Sequence, residues 1–320
     1  ASAAWCKSRS RRYPLKKGYA IMNKFVIPGF FLSRPVIKLA NHFLNDMKLP
    51  DPPSGICKEI KWIETRDKQW LKFTLYKPEK LADSIPCFIY FHGGGFCLED
   101  APYIHANVAE YAKRAKCMVA FLHYRTSDRY PFPVPFQDCC AGIEYIFRNY
   151  ETLHIDKQRI AVGGDSAGGA LAAACAQWCR DKRRNEFCFQ MLIYPVMDAR
   201  MKTESIKKYT DSPLWNAQLN KRMWKLYLRS ENCGVQTYAS PMETKNFKGL
   251  PFTYIEVEEF DCLHDEGKEY GQALKKAGVK VHLEEVEGTF HGFDVFRKTE
   301  IKKNDRKTQS GTVSNFLEPA

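Results

Sequence analysis

One pentapeptide restricts this chain more than any other feature: Gly164-Asp165-Ser166-Ala167-Gly168, set between the short apolar stretch Arg159–Val162 and the alanine-rich stretch Ala167–Arg180. The first stretch reads as a buried strand and the second as a helix, so the chain must turn from one to the other within a few residues. A turn that sharp holds the serine in a strained backbone conformation. Glycine on either side leaves room where a Cβ would clash. The hydroxyl then stands at the edge of a sheet, and the N–H groups of the following helix are free to meet a developing negative charge.

The surrounding pattern supplies that sheet. Ile60–Glu64 and Trp70–Tyr76 predict an antiparallel pair turning at Arg66-Asp67-Lys68. Strands are then expected at Cys87–Phe91, Met118–His123, Arg159–Val162, Phe189–Val196, Phe252–Val257 and Lys280–Val286. Helices are expected at Tyr103–Ala115, Pro135–Asn149, Ala167–Arg180 and Glu266–Ala277. Such alternation predicts the α/β class with a mostly parallel sheet flanked by helices. Two stretches break the rhythm. Residues 1–55 are mixed and end in the proline-rich break Leu49-Pro50-Asp51-Pro52-Pro53, and residues 198–235 hold no convincing strand. The latter reads as a helical insertion over the carboxyl edge of the sheet, where open α/β sheets bind ligands. The division expected is therefore an N-terminal cap segment (1–55), a core in two parts (56–197 and 236–320) and a cap insertion (198–235).

A serine needs a base, and the base needs a carboxylate. Among eight histidines, His291 is best placed, in Gly288-Thr289-Phe290-His291-Gly292-Phe293 directly after the last strand. His264 is its rival; His42, His105, His123, His154 and His282 read as surface or packing residues. Asp261 follows the strand Phe252–Val257 on the same edge as Ser166, with Asp198 as the alternative and Asp265 and Glu266 as first-turn acids of the next helix. His92-Gly93-Gly94-Gly95 follows the strand Cys87–Phe91, and its glycines leave backbone N–H groups uncovered for an oxyanion. A phosphate-binding loop would need a Gly-Lys-Ser/Thr ending, and Phe96-Cys97 stands there instead. His92 itself reads as structural.

Composition sets limits. Hydrophobic residues make up 44% of the 320, enough for a globular core. The net charge of +12 is spread along the chain, densest at Lys7–Lys17, Arg180–Arg184 and Lys298–Lys307, without a basic strip interleaved with aromatics. That argues against a nucleic-acid partner. No apolar run approaches the ~20 residues of a membrane span. A basic stretch before Ile21–Leu32 has the outline of a signal or anchor, but Pro28-Gly29 breaks it and no Ala-x-Ala site follows. The expectation is an amphipathic N-terminal helix packed on the fold. Twelve cysteines without a Cys-x-x-Cys pair read as reduced, buried thiols of a cytoplasmic protein, with no zinc site.

Taken together, these motifs resemble the hormone-sensitive-lipase-like (GDXG) esterases of the α/β-hydrolase superfamily. The resemblance runs from about Pro52 to Phe293. It rests on His92-Gly93-Gly94-Gly95, Tyr124-Arg125, Tyr130-Pro131-Phe132-Pro133, Gly164-Asp165-Ser166-Ala167-Gly168-Gly169, Tyr238-Ala239-Ser240-Pro241, Asp261-Cys262-Leu263-His264-Asp265-Glu266-Gly267 and His291-Gly292-Phe293. It implies an α/β-hydrolase fold with a helical cap and a Ser166–His291–Asp261 triad, which keeps the family's Ser…Asp…His order. It also implies an oxyanion hole of the Gly94, Gly95 and Ala167 N–H groups, no cofactor or metal, and small short- to medium-chain acyl esters as substrates. Phe30, Phe31, Trp215, Trp224 and Tyr227 are candidate pocket residues, and a homodimer is a candidate assembly. Two departures stand out. His123-Tyr124-Arg125-Thr126-Ser127-Asp128-Arg129 replaces the usual Asp-Tyr-Arg-Leu-Ala-Pro-Glu, and His264 stands where arginine is common. An amidase on the same triad and a non-catalytic binding protein are the alternative readings.

Overall fold

A computed structural model of the chain describes residues 12–80, 83–183, 187–229, 236–295 and 300–317, with the side chains of 300–307 and 316 excepted. The Lys7–Arg11 part of the first basic run, Arg184, and Lys298 with the side chains up to Lys307 lie outside that description, as do the end of the expected 198–235 insertion, Cys6 and Cys233.

Eight strands form one sheet: β1 (Ile56–Glu64), β2 (Trp70–Pro78), β3 (Ile85–Phe91), β4 (Met118–Leu122), β5 (Ile155–Asp165), β6 (Phe189–Ile193), β7 (Phe252–Glu258) and β8 (Val281–Val286). Their order is β1-β2-β4-β3-β5-β6-β7-β8. β2 runs antiparallel to β1 and β4, and the other pairs are parallel. The first hairpin keeps the expected turn: Glu64 faces Trp70, and Lys68 adopts φ +62° between them. Every residue of β3, β4 and β6 is buried, as strands covered on both faces must be.

The helices are α1 (Arg34–Asp46), α2 (Pro102–Arg114), α3 (Val134–Arg148), α4 (Ala167–Asp181), α5 (Glu204–Lys208), α6 (Ala217–Tyr227), α7 (Gln236–Ala239), α8 (His264–Lys276) and α9 (Glu300–Leu317). α4 is buried from Ala167 to Cys179. Its alanines and glycines let the helix lie against the sheet with almost no side-chain spacing. α9 has no counterpart in the sequence reading. It closes the opposite face by burying Val313 and Leu317, and its Gln309 amide donates to Glu256 Oε1 (2.9 Å) while its Oε1 accepts from the Tyr111 hydroxyl (2.6 Å).

The N-terminal expectation needs correction. Ile21–Leu32 is not a helix but part of two 3-10 turns, Ala20–Lys24 and Gly29–Leu32, and the amphipathic helix starts only at Arg34. Pro28 lacks the N–H a continuing helix needs, whereas Pro35 falls in a first turn, where proline is tolerated. This segment packs on the insertion. Leu214 N donates to Phe25 O (3.1 Å), Asn216 Nδ2 to Ile27 O (3.0 Å) and Tyr13 Oη to Asp211 Oδ1 (2.6 Å). Tyr19 stands edge-on to Phe290 and Phe293, the neighbours of His291. Residues 198–229 carry α5 and α6 and no strand, as expected.

No described helix is long and apolar enough to cross a membrane. The ten described cysteines form no disulfide. Burial pushes the thiols of Cys97 and Cys117 up to about 12, so they stay protonated.

Candidate active site

β5 ends at Asp165 and α4 starts at Ala167, leaving Ser166 alone to make the turn. Its φ of +53° and ψ of −117° lie where an L-residue is strained. The surroundings hold it there: Ser166 N donates to Ile193 O (2.8 Å) and its carbonyl accepts from Val196 N (3.1 Å). The flanking glycines are required by contact. A Cβ on Gly164 would lie 2.3 Å from the Phe91 carbonyl oxygen, and one on Gly168 would lie 2.0 Å from the same atom.

His291 reaches this turn from the loop after β8. Its Nε2 lies 2.9 Å from Ser166 Oγ and its Nδ1 lies 2.6 Å from Asp261 Oδ2. A neutral imidazole protonated at Nδ1 satisfies both contacts, donating to Asp261 and accepting from the hydroxyl. Asp261 sits in the turn after β7, fully buried, and its other oxygen accepts from Leu263 N (2.9 Å). The ring of His291 is wedged between Tyr194 (4.7 Å between centroids) and Trp215 (5.9 Å). Both rivals are engaged elsewhere. Asp198 holds the Arg200 guanidinium through both oxygens, and His264 bridges Asp265 and Glu285.

The glycine loop lies beside Ser166. Gly94 (φ +104°) and Gly95 (φ +60°) take left-handed backbone that other residues avoid. The N–H groups of Gly94, Gly95 and Ala167 make no hydrogen bond among the described residues. Here the structure adds residues that motif reading passed over. Asp165 Oδ1 accepts from Gly93 N (3.1 Å) and from the Tyr90 hydroxyl (2.9 Å), fastening the glycine loop to the serine turn. Burial, with Asp294 nearby, pushes its carboxyl up to about 6. A Cβ on Gly93 would meet that carboxylate at 2.3 Å. His92 is structural, as expected: it stacks on Tyr124 at 4.3 Å, its Nδ1 lies 2.7 Å from Gly93 O, and burial pushes its pKa down to about 4. Glu266 is more than a first-turn acid. Fully buried, it accepts from Met197 N (2.6 Å) and Asp198 N (3.3 Å), tying α8 to the segment after β6.

The candidate pocket residues separate. Trp215 covers the glycine loop: its Cη2 stands 2.7 Å from where a Cβ of Gly95 would be. Trp224 and Tyr227 are buried against Phe96, Tyr227 stacked at 3.9 Å and Trp224 tilted at 5.9 Å. Phe31 departs from the expectation. It is 46% exposed and stacks on the exposed Phe30, because the 3-10 turn that carries it turns those rings outward. No described contact brings either ring to Ser166 or His291.

His105 and His123, read as packing residues, meet Asp100, with ligating atoms within 4.8 Å of one another. Asp100 Oδ2 lies 2.5 Å from His105 Nε2 and Oδ1 lies 2.9 Å from His123 Nδ1. Ligands sharing one tetrahedral zinc stand about 3.3 Å apart, given bonds of roughly 2.0–2.1 Å. These side chains are closer, bonded to each other as a hydrogen-bond network. Burial would raise the Asp100 carboxyl, but the two histidines outweigh it and hold it below the usual range.

Comparison with known proteins places the chain among the α/β hydrolases. A family model described as the alpha/beta hydrolase fold matches residues 88–295. The protein named carboxylesterase NlhH of Mycobacterium tuberculosis is 30% identical over 83% of this chain and 85% of its own. Bovine arylacetamide deacetylase is 26% identical, with 82% of each chain covered. Among solved structures, one titled bacterial heroin esterase superposes with a TM-score of 0.83 at 30% identity, covering 94% of this chain and 96% of that one.

Proposed function

We propose that this chain, which belongs to the α/β-hydrolase family of hormone-sensitive-lipase-like (GDXG) esterases, is a serine carboxylic ester hydrolase that works through Ser166, His291 and Asp261. The observation that carries the reading is the unbroken line of hydrogen bonds from Asp261 Oδ2 through His291 to the Oγ of a backbone-strained serine. His291 Nε2 takes the hydroxyl proton as Oγ attacks the ester carbonyl. Asp261 fixes the Nδ1-protonated tautomer and stabilises the imidazolium that forms. The negative charge on the former carbonyl oxygen is met by the N–H groups of Gly94, Gly95 and Ala167, each such donor typically lowering the barrier by about 3 kcal/mol. His291 passes its proton to the departing alcohol, and water repeats the sequence on the acyl-enzyme.

Residues 12–55 and 198–229 act as a cap over this edge. Trp215 crowds the space above Gly95, which suits small acyl groups. A series of 4-nitrophenyl esters is expected to peak at short to medium chains; a maximum at ten carbons or longer overturns that point. The reading as a whole is tested by hydrolysis of 4-nitrophenyl acetate and butyrate. Ser166→Ala, with folding checked by circular dichroism, is expected to lose at least ~10³-fold. Equal activity in the two proteins removes Ser166 from the mechanism.

An amidase is the second reading, favoured by the likeness to a protein named for deacetylating an arylacetamide. The two differ only in the leaving group His291 must protonate. Rates on an ester and its matched anilide separate them.

A further inference from the structure

Single apolar side chains at a protein surface are ordinary, but a concentration of them marks a contact. Of the eleven large apolar side chains that stand exposed among the described residues, seven lie from Ile21 to Met47. The turns of this segment divide in the same way. Met22 and Leu32 are buried, while Ile21 and Phe25 face water and Phe30 stacks on Phe31 outside (4.8 Å between centroids). α1 carries the division furthest. A helix that served only the core would turn its apolar stripe inward. α1 instead faces the protein with Ile37 and Asn41, whose amide donates to Cys97 O and accepts from Glu99 N (both 2.9 Å). Leu39 and Phe43, one turn apart on its far side, stay 56% and 61% exposed.

The charge beside these side chains has one sign. Over residues 12–50 seven lysines and arginines (positions 12, 16, 17, 24, 34, 38 and 48) stand against one acid, Asp46, which pairs with His42. α6 extends the basic surface. It buries Leu219, Asn220, Met223, Trp224 and Tyr227, so Lys221, Arg222 and Lys225 turn outward. These three cations line one open depression of about 590 Å³ with Phe30. None of Lys24, Arg34, Lys38, Lys221, Arg222 and Lys225 has an ion-pair partner among the described residues. The β1–β2 hairpin offers a contrast. Ile60, Trp62 and Trp70 also face water there, but carboxylates are interleaved: Glu64 lies opposite Trp70 and pairs with Lys68, and Arg66 pairs with Glu144.

We infer that the outer surface of residues 21–47, with the basic edge of α6, docks on an anionic lipid bilayer. The exposed rings enter the boundary between headgroups and acyl chains, and the lysines and arginines meet lipid phosphates. Apolar insertion and attraction to anionic lipid add, which is how a peripheral protein holds a membrane without spanning it. Charge complementarity selects this occupant over a second copy of the chain, because two copies meeting through the face would set cations against cations. The inference goes beyond the hydrolase reading and does not depend on it.

The test is co-sedimentation of the full chain with vesicles of phosphatidylcholine alone and of phosphatidylcholine mixed with phosphatidylglycerol, at about 0.1 M and about 0.5 M salt. Wild type is expected to partition at least about tenfold more strongly onto the mixed vesicles, and the preference should shrink at the higher salt. Phe30→Ser combined with Phe43→Ser should weaken that binding about tenfold or more. Lys221→Glu combined with Lys225→Glu should remove most of the preference for anionic lipid. Folding of both variants is checked by circular dichroism. Wild type that sediments with neither vesicle, or equally with both at either salt, overturns the proposal. Binding that stays within twofold of wild type in the folded serine variant also overturns it, since charge elsewhere would then suffice. Light scattering supplies the remaining arm. A dimer that the serine substitutions dissociate, in a chain that ignores vesicles, assigns the face to a second copy and overturns the bilayer.

Discussion

The floor of the site and its roof are built on opposite principles. In the floor, the segment Phe91–Gly93 lies tight against the turn Gly164–Gly168: a Cβ on Gly164 or Gly168 would stand 2.3 or 2.0 Å from the Phe91 carbonyl oxygen, and one on Gly93 2.3 Å from the Asp165 carboxylate. Its polar groups are largely spoken for: Asp165 ties the two segments together, and Asp261, His291 and Ser166 bond in line. In the roof, made of Trp215 and the buried face of α6, large side chains pack on Gly95 and Phe96, and five buried polar atoms have no partner among the described residues. A floor of this kind fixes reacting geometry and tolerates no change. A roof of this kind is held by ring packing rather than by hydrogen bonds.

The contrast can be broken from the floor upward. Asp261→Asn keeps the shape but favours the wrong tautomer of His291, and kcat for 4-nitrophenyl butyrate is expected to drop about 10³–10⁴-fold. A drop of less than tenfold would remove Asp261 from its role. Gly168→Ala forces a methyl into the Phe91 carbonyl, a backbone contact that cannot swing aside. Urea unfolding should show a loss of about 3 kcal/mol or more, beyond ordinary overpacking of side chains. An unchanged midpoint would mean the floor is looser than its contacts indicate.

Acid should probe the same region. The pKa of His92 falls from its ordinary 6.5 to about 4 because burial disfavours the cation. A depressed folded-state pKa means the associated stability is intact above about 6.5 and lost as pH falls toward 4. The loss is at most about 3 kcal/mol. Asp165 works in the other sense: raised to about 6, its contribution is present below the ordinary carboxyl range and lost as pH rises through 6. His92→Phe should flatten the acid-side decline in unfolding free energy between pH 6.5 and 4. A decline of unchanged slope would assign it to other groups. The smallest effect belongs to the roof. Asn220→Leu removes a buried amide with no partner among the described residues and should raise stability by about 1 kcal/mol in the same urea titration. Destabilisation would reveal that the amide is bonded after all.

Much of the floor was legible in the order of the residues. Ser166 could be found because a strand-to-helix turn this short admits a non-glycine residue only when glycines flank it, and His92–Gly95 because three glycines after a buried strand expose backbone N–H groups. The α/β class followed from apolar periodicity, which depends on near neighbours. Asp261 and His291 were narrower choices: Asp198 and His264 sat at equivalent positions along the chain. They fell away only where Arg200 occupied one and Asp265 with Glu285 the other.

What the order of residues settled, then, is local: the strained serine turn, the glycine loop and the alternation that makes a mostly parallel sheet. Tertiary structure alone decided the rest. It paired Asp165 with Gly93 across 72 positions, drew His105 and His123 onto Asp100, turned Phe31 outward while Trp215 came down over Gly95, and left polar atoms of Asn220, Trp224 and Tyr227 buried without a partner among the described residues. The reason is physical. A turn or a helix face is dictated by residues within a few positions of one another. Which buried polar groups find partners depends on which distant segments the packed core brings within about 3 Å, a distance that periodicity does not encode.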